Sequence, residues 1–326
     1  SEVVHLKKAG KNFVGLCPFH TEKTPSFTVS PQKQIFYCFG CGAGGNIFSF
    51  LMKNDGLAFP EAARSLARKY GINIPRRNLT PEQKKQMGER ESLLKINRQA
   101  MDFFSQSLRH SPAGQAAMTY LNKRGLSADI IDRFNIGYAP KGWDRLLNFF
   151  SKKSIPLARV ERSGLILPKK DGRGYYDRFR ERIIFPIIDV NQAVIGFGGR
   201  VMDDALPKYL NSPETSVYSK SRSLYGLHLS KDKCRKAQTV YIVEGYLDLL
   251  MLHQHGIENA VATLGTALTA DHVRMLSRYV PRMNLVYDSD EAGIRSALRC
   301  MDTFWKEHVE FRRGDVFSEE KADTHI

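Results

Sequence analysis

The chain has 326 residues, 42% of them hydrophobic, which is enough for two or three domains with ordinary cores. The longest apolar runs, such as residues 183–188, are too short to span a bilayer, which argues against a membrane protein. A formal net charge of +15 favours a polyanionic partner such as nucleic acid, because every neutralised phosphate releases a counterion. A soluble basic protein with no such partner is the alternative.

Cysteine usage indicates where the protein works. The five cysteines and the lack of a secretory signal favour a reducing, cytoplasmic setting over a disulfide framework. Cys234 and Cys300 stand alone and are interpreted as ordinary thiols. The first residue is Ser rather than Met, so we expect the natural chain to begin further upstream.

The other three cysteines belong to a pattern typical of metal ligands. Cys17-Pro-Phe-His20 and Cys38-Phe-Gly-Cys41 are two ligand pairs, and residues 21–37 between them are long enough for a hairpin. Three thiolates and an imidazole fill the four positions of tetrahedral Zn²⁺, so we predict a structural zinc ion; four unrelated residues are the alternative. A core this small supplies about 3–5 kcal/mol and a structural zinc ~10–16 kcal/mol, so the module should unfold without metal.

Aromatic and basic residues surround the predicted zinc ligands. They can form a platform that stacks bases and holds phosphates, although in so small a module the rings are also needed for the core. The lysines are therefore the better candidates for DNA contacts. The rings are Phe13, Phe27, Phe36, Tyr37 and Phe39, and the lysines are Lys7, Lys8, Lys11, Lys23 and Lys33.

The distribution of apolar and polar residues along the chain predicts four segments. The zinc module, residues 1–75, ends in a helix at 59–70. Residues 76–92 have almost no large apolar side chain and are interpreted as a linker or the exposed start of a helix. A basic subdomain, 93–238, begins with a helix at 93–108 and turns to strands between 164 and 199.

From residue 239 onward, short buried-type strands alternate with helices. The strands are predicted at 240–243, 260–264 and 284–287, and the helices at 247–255, 270–279 and 292–306. This alternation predicts a mostly parallel sheet with helices on both faces, in a segment that covers 239–326. The fold class is therefore α/β and multidomain.

Two of these strands end directly in acidic residues. Glu244 follows the first, with Asp248 in the next helical turn, and Asp288 and Asp290 follow the third. The carboxyl ends of parallel strands meet at one edge, so these side chains should converge there. Clustered carboxylates repel unless a cation lies between them, and oxygen ligands favour Mg²⁺ or Mn²⁺, the metals of phosphoryl transfer. The alternative is that the aspartates only cap the following helix.

Glu-Gly at one strand end and Asp-x-Asp at a later one resemble the Toprim domain. The zinc pairs N-terminal to it narrow the resemblance to the bacterial DNA primase family, and the match extends over nearly the whole chain. Its motifs include Cys17-Pro-Phe-His-Thr-Glu-Lys-Thr-Pro-Ser-Phe27, Asp177-Arg-Phe-Arg-Glu-Arg-Ile-Ile-Phe-Pro186, Gly196-Phe-Gly-Gly-Arg200, Pro207-Lys-Tyr-Leu-Asn-Ser-Pro-Glu214 and Ala262-Thr-Leu-Gly-Thr266.

The resemblance implies a zinc ribbon, a basic α+β subdomain and a Rossmann-like Toprim subdomain. It implies de novo synthesis of RNA primers at the replication fork, on single-stranded DNA and from ribonucleoside triphosphates, with an RNA–DNA hybrid as product. Glu244, Asp288 and Asp290 would bind Mg²⁺ or Mn²⁺, with Asp248 beside them. Nucleotide or template would contact Arg178, Arg180, Arg200, Lys208 and Asn211. The alternative for these basic side chains, and for Arg182, is a surface ion pair with Asp177 or Glu181.

The tail departs from the family pattern. A further acidic motif should follow Asp-x-Asp, and Asp323, with Glu320 or Asp315, is the available substitute. The Toprim segment is therefore expected to be truncated, and the domain that binds the replicative helicase in this family lies outside the sequence. Two rival functions remain at this stage. One is DNA breakage by a topoisomerase or nuclease of the Toprim class, and the other is zinc-dependent single-stranded DNA binding without catalysis.

Overall fold

A computed structural model describes residues 4–55, 57, 59–72, 80–265, 267–287, 291, 293, 295, 297, 298 and 300. Its contacts divide the chain into two units, residues 1–80 and 81–326. Asp288 and Asp290 lie outside the described residues, as do Asp315, Glu320 and Asp323. The four predicted segment boundaries stay a prediction.

The first unit is an antiparallel sheet followed by two helices. Its strands pair in chain order: β1 (Lys7–Ala9), β2 (Asn12–Gly15), β3 (Phe27–Ser30), β4 (Ile35–Cys38) and β5 (Gly44–Gly45). Helix α1 (Ile47–Asn54) begins where the Asn46 side chain accepts a hydrogen bond from the Ser49 amide, and α2 is Phe59–Lys69. Side chains alternate along β4, with Phe36 and Cys38 buried and Ile35 and Tyr37 exposed, so one face of the sheet remains in solvent.

The second unit opens with helices. These are α3 (Pro81–His110), α4 (Pro112–Lys123), α5 (Ala128–Arg133), α6 (Arg145–Lys152) and α7 (Leu157–Arg162). Along α3, the side chains from Pro81 to Ser92 are almost all exposed, and burial at helical spacing begins at Leu93. The polar stretch expected as a linker or the start of a helix is therefore mostly helical from Pro81 onward. Helix α4 begins at Ser111, whose hydroxyl accepts from the Gly114 amide at 2.9 Å.

An antiparallel sheet forms the centre of the basic half. Its order is β11 (Tyr209–Asn211), β10 (Val194–Val201), β9 (Arg182–Ile188) and β6 (Gly137–Ala139), and β7 (Ile166–Pro168) pairs separately with β8 (Tyr175–Asp177). Every residue of β9 and β10 is buried, which explains why both strands are apolar apart from Arg182 and Arg200. The predicted strands between 164 and 199 are confirmed.

The last part of the described chain is built on a parallel sheet, as predicted. Its order is β13 (Ala260–Ala262), β12 (Thr239–Val243) and β14 (Arg282–Leu285), and both pairings of β12 are parallel. A short 3-10 helix (Lys220–Arg222) and α8 (Leu227–Ala237) precede the sheet, and α9 (Tyr246–Gln254) and α10 (Ala270–Leu276) follow its first two strands. The predicted strands at 260–264 and 284–287 end two residues earlier, and helix 270–279 ends at Leu276. The α/β multidomain fold class is confirmed.

The basic half and the parallel sheet share one apolar core. Ile183, Phe185 and Ile187 of β9 pack in the same cluster as Val243 and Tyr246. A glycine makes this junction possible, because a Cβ at Gly198 would lie 2.2 Å from the Tyr246 hydroxyl. Among the described residues, no helix combines the length and apolarity needed to cross a membrane.

Candidate metal centre and charged crevice

The two predicted ligand pairs come together in the first unit. Cys17 follows β2 and Cys38 ends β4. One ligand atom from each of Cys17, His20, Cys38 and Cys41 lies within 4.8 Å of the other three. The Sγ atoms of Cys17 and Cys41 are 3.8 Å apart, and the Cys38 Sγ is 3.8 Å from the His20 Nδ1. Among the described residues, these four side chains form the one group of at least three potential ligands that lie close enough to share a metal ion.

These separations fit zinc. Tetrahedral bonds of about 2.3 Å to sulfur and 2.0–2.1 Å to nitrogen give ligand–ligand edges of roughly 3.5–3.8 Å. Three thiols and one imidazole are also the donor set that zinc prefers over hard cations. The protein therefore carries a zinc centre of the closed, structural type, since the four side chains occupy every tetrahedral position.

The two buried thiols, Cys17 and Cys38, differ in acidity. Burial raises the pKa of the Cys17 thiol to about 11. Burial also opposes ionisation of Cys38, but its contact with the Ser26 hydroxyl and hydrogen bonds from the Cys41 and Gly40 amides outweigh it and lower the pKa to about 6. Cys38 is thus prepared as a thiolate ligand, whereas Cys17 releases its proton on metal binding.

The aromatic rings of this unit have separate roles. Phe27 and Phe36 are buried and stack at 5.3 Å, so they belong to the core. Tyr37 and Phe39 are 46% and 75% exposed, with ring centroids 5.0 Å apart in an edge-to-face pair. Lys7 is also exposed and pairs with Val14 at the outer edge of the same sheet. Phe27 and Phe36 are therefore core residues, whereas the role of the exposed Tyr37 and Phe39 in stacking bases stays a prediction.

In the second unit, Glu244 and Asp248 lie where β12 passes into α9. Glu244 follows Val243, the last residue of the strand, and Asp248 is in the first turn of the helix. Gly245 separates them, and a Cβ at that position would lie 2.5 Å from an Asp248 carboxylate oxygen. Only a glycine lets the Asp248 carboxylate approach the strand end this closely.

Both carboxylates line one crevice with three basic side chains. The crevice has a volume of about 780 Å³, and its basic residues are Arg124, Arg200 and Lys208. Its wall also contains Val286 and Tyr287, the two residues that directly precede Asp288 in the sequence. Charges of both signs thus face the same space, which suits a divalent cation and an anionic substrate together.

Arg200 lies near the end of β10 and is buried, although its side chain is charged. Its guanidinium lies 5.3 Å from the Tyr120 ring centroid and 5.6 Å from that of Tyr209, and it donates a hydrogen bond to the Tyr120 hydroxyl. Its Nε is buried and has no hydrogen-bond partner among the described residues. A buried donor without a partner is costly to the folded state.

Asn211 lines the crevice, but its polar atoms are already engaged. Its amide nitrogen donates to the Leu264 carbonyl at 2.8 Å, and its main-chain carbonyl accepts from the Arg178 guanidinium at 2.9 Å. Arg178 therefore binds the main chain of Asn211 and does not itself line the crevice. Burial lowers the pKa of Arg178, which agrees with its position inside the protein rather than on a charged wall.

Arg180 also lies away from the crevice, in an exposed stack on the basic half. Its guanidinium is 4.2 Å from the Trp143 ring centroid and 5.5 Å from that of Tyr176. The two rings are 5.6 Å apart, and Trp143 is 64% exposed. Of the five residues predicted to contact nucleotide or template, Arg200, Lys208 and Asn211 line the crevice. Arg178 and Arg180 lie outside it.

The alternative in which acids neutralise these arginines does not describe the structure. The Asp177 carboxylate accepts from the amides of Leu146 and Leu147 at 2.8 and 2.9 Å and so caps α6, while burial raises its pKa to about 6. Glu181 pairs with Lys141 at 3.6 Å instead. Among described residues, no ion pair joins either acid to the arginines at 178, 180, 182 or 200.

Sequence reasoning missed three members of this region. The rings of Tyr120 and Tyr209 contact the Arg200 guanidinium, and Arg124 lines the crevice and lies over the Tyr120 ring at 5.4 Å. Tyr209 lies in the motif at residues 207–214, between Lys208 and Asn211, and this position was the signal in the sequence that could have identified it. Tyr120 and Arg124 gave no such signal, because the end of α4 is far from Arg200 in the chain.

Comparisons with known proteins match every part of this architecture. Residues 1–82 match the family described as CHC2 zinc finger, 103–231 the DNA primase catalytic core, N-terminal domain, and 238–313 the Toprim domain. A DNA primase of Pseudomonas aeruginosa is 46% identical over 308 residues, which are 93% of this chain and 46% of that protein. The chain spans about half the length of the curated relatives it matches.

Solved structures give the same result. The zinc-binding and RNA polymerase domains of the Aquifex aeolicus primase align with a TM-score of 0.62 and 34% identity, covering 94% of this chain and 73% of that one. A primase catalytic domain bound to single-stranded DNA aligns with a TM-score of 0.62 and 41% identity, covering 67% of this chain and 68% of that one.

Proposed function

Because the chain belongs to the bacterial DNA primase family, we propose that it starts short RNA chains on a single-stranded DNA template from ribonucleoside triphosphates. The observation that carries the proposal is the crevice in which Glu244 and Asp248 face Arg124, Arg200 and Lys208. Nucleotidyl transfer needs this combination of carboxylates for a divalent metal and cations for phosphates.

The acidic side of the crevice is the proposed metal site. Glu244 and Asp248 offer hard oxygen donors, and Asp288 and Asp290, which follow the crevice residues Val286 and Tyr287 in sequence, are proposed to complete the set. Bound Mg²⁺ or Mn²⁺ would stabilise charge on the attacking and leaving oxygens during transfer.

The basic side is the proposed triphosphate site. Arg200 lines the crevice, and contacts with two tyrosine rings restrict its side chain, so it loses little conformational entropy when it binds a phosphate. Lys208 and Arg124 add positive charge on the same wall. This arrangement fixes the triphosphate by position and electrostatics, which carry most of the rate in phosphoryl transfer.

The template is proposed to contact two exposed aromatic surfaces, one on each unit. Trp143 with Arg180 offers a stacking face and a cation on the basic half, and Tyr37 with Phe39 offers a stacking face on the zinc module. Single strands bind such platforms because every base has a face to stack. The related catalytic domain solved with single-stranded DNA supports this part of the proposal. An RNA–DNA hybrid at the replication fork would be the product.

Primer synthesis tests the proposal directly. The protein is supplied with single-stranded DNA, labelled ribonucleotides and Mg²⁺ or Mn²⁺, and compared with Asp288→Ala and Glu244→Gln. Labelled short RNA should appear with the unmodified protein and fall at least a hundredfold in both variants, since each loses a proposed metal ligand. Asp232→Asn, which neutralises an exposed acid of α8, is the matched control and should retain activity.

The result that would overturn the proposal is equally concrete. Intact DNA binding without any RNA product, with either metal, would identify a binding protein without polymerase activity. Nicking or relaxation of supercoiled plasmid would identify a DNA-breaking enzyme instead.

A further inference from the structure

The Glu22 side chain occupies the centre of the loop that carries the zinc ligands. It is 11% exposed, and both of its carboxylate oxygens accept hydrogen bonds. One oxygen accepts from the amides of Cys17 at 2.7 Å and Ser26 at 3.1 Å, and the other accepts from the Ser26 hydroxyl. The second oxygen also lies 3.1 Å from the His20 Nε2. One carboxylate thus joins four donor groups.

The contact with His20 assigns the two ring nitrogens. Nδ1 faces the Cys38 Sγ at 3.8 Å, as an edge of the metal tetrahedron requires, while Nε2 faces Glu22. A carboxylate on the second nitrogen keeps the proton there and leaves Nδ1 as the lone-pair donor. Such a partner also fixes the orientation of the ring toward a metal.

Glu22 also reaches two of the three cysteines. It holds the Cys17 amide directly, and the Ser26 hydroxyl that it binds lies 3.2 Å from the Cys38 Sγ. One carboxylate is therefore linked to three of the four ligand residues, directly to Cys17 and His20 and through Ser26 to Cys38.

From this geometry we propose that Glu22 is the positioning residue of the zinc centre. It fixes the tautomer of His20 and preorganises His20, Cys17 and Cys38 for the metal, so zinc binds more tightly and leaves more slowly. The proposal concerns the zinc ligands alone and stands whether or not the crevice synthesises RNA. Its readouts are zinc affinity and the state of His20, so its failure is distinct from failure of the proposed polymerase function.

Glu22→Gln is the principal test, because it keeps the size and an acceptor oxygen for the two amides but removes the charge. Chelator competition on the full chain should show zinc bound 10- to 100-fold more weakly. Ser26→Ala removes the link to Cys38 but leaves the contact with His20, so its loss should be smaller. Asp55→Asn, an exposed acid of the same unit that accepts from its neighbour Asn54, is the control and should bind zinc as before.

A ring-specific measurement separates positioning from a general role in folding. In zinc-loaded protein, nitrogen-15 NMR of His20 should show a slowly exchanging proton on Nε2, and Glu22→Gln should accelerate its exchange. Co²⁺ in place of zinc should give altered absorption bands in the same variant. Unchanged His20 proton exchange together with unchanged zinc affinity would overturn the proposal. If Glu22→Gln does not fold, the zinc affinity of Ser26→Ala decides it, and an affinity equal to that of Asp55→Asn would refute the network.

Discussion

The Tyr246 hydroxyl donates a hydrogen bond to the Asn211 side-chain oxygen at 2.8 Å. Tyr246 begins α9 beside the parallel sheet, and Asn211 ends β11 of the antiparallel sheet, so the bond joins the two halves of the second unit at the crevice. The Asn211 amide nitrogen extends the link to the Leu264 carbonyl. Asn211 therefore maintains the crevice by connecting its walls, and its side-chain donors and acceptors are directed into the protein.

Tyr246→Phe should weaken this junction. The Asn211 oxygen would lose its donor inside a partly buried site, which costs about 1–2 kcal/mol in the free energy of unfolding. Urea denaturation of the full chain measures the change, and primer yield should fall with it because the two crevice walls are less firmly joined. Tyr241→Phe, a half-buried tyrosine of β12, is the control. Equal stability of Tyr246→Phe and the control would show that the bond contributes nothing.

Some of this site was predictable from sequence because its chemistry is local. The zinc pairs and the Glu244 strand end each depend on a few adjacent residues, and strand ends of a parallel sheet converge by topology alone. Arg178 and Arg180 gave no comparable signal. They follow β8 in an irregular segment, where alternation no longer indicates which way a side chain points.

The partners of Arg200 illustrate a second limit. Tyr120 contacts it through tertiary packing between α4 and β10, and no periodic pattern connects positions so far apart. The polar composition of residues 76–92 similarly left a linker and the exposed start of a helix both open, because a helix can continue into solvent when its later turns are packed in the core.

Tyr120 should be needed to hold Arg200 and Arg124 in place. Tyr120→Phe removes the hydroxyl that accepts from Arg200 but keeps the ring, whereas Tyr120→Ala removes both contacts. We expect KM for ribonucleotides to rise roughly 5- to 10-fold in the first variant and further in the second, since a hydrogen bond to a charged group contributes about 1.5 kcal/mol or more.

Steady-state primer synthesis at varied nucleotide concentration measures this effect. Tyr279→Phe is the matched control, because that ring lies under Arg235 at 4.8 Å on another part of the unit. A Tyr120→Phe variant that is indistinguishable from Tyr279→Phe would contradict a positioning role for the hydroxyl.

Trp143→Ala should weaken binding of single-stranded DNA. The exposed ring stacks with Arg180, and loss of one base–aromatic contact costs about 1–3 kcal/mol, or roughly 5- to 100-fold in Kd. Fluorescence anisotropy with a labelled oligonucleotide gives the Kd at several salt concentrations. Arg180→Gln should also reduce the salt dependence, by about 0.7 in the logarithmic slope for one phosphate contact.

Leu206→Ala is the control for Trp143→Ala, because Leu206 is 88% exposed and apolar but is not aromatic. DNA affinity equal to that of this control would remove the Trp143–Arg180 stack from the proposed template path. An unchanged salt slope in Arg180→Gln would show that its charge meets no phosphate.

Removal of zinc should unfold the first unit alone. Its core cluster includes Cys17 and Cys38 themselves, so the ligands and the packing are lost together. After treatment with a chelator, hydrogen exchange of amides in β3 and β4 should become fast, while amides in β9 and β10 remain protected. Protection of β3 and β4 in metal-free protein would contradict the expectation that zinc supplies the stability of this unit.

Acid should destabilise the second unit through buried histidines. Burial lowers the pKa of His228 to about 4 and also lowers those of His253 and His272. Between about pH 6.5, where an unfolded histidine titrates, and pH 4, the unfolded chain binds a proton that folded His228 does not. Stability therefore falls as the pH decreases through this window, by up to about 1.4 kcal/mol per pH unit for each such group.

Asp177 acts in the opposite direction, since burial raises its pKa to about 6 and the folded state takes up its proton first on acidification. The contribution of His228 is isolated by His228→Gln, whose unfolding free energy should depend less steeply on pH between 6.5 and 4 than that of the unmodified protein. His110→Gln, an exposed histidine at the end of α3, is the control and should keep the original slope. Urea titrations at half-unit pH steps measure both, and parallel curves for His228→Gln and the unmodified protein would show that His228 is not buried in its neutral form.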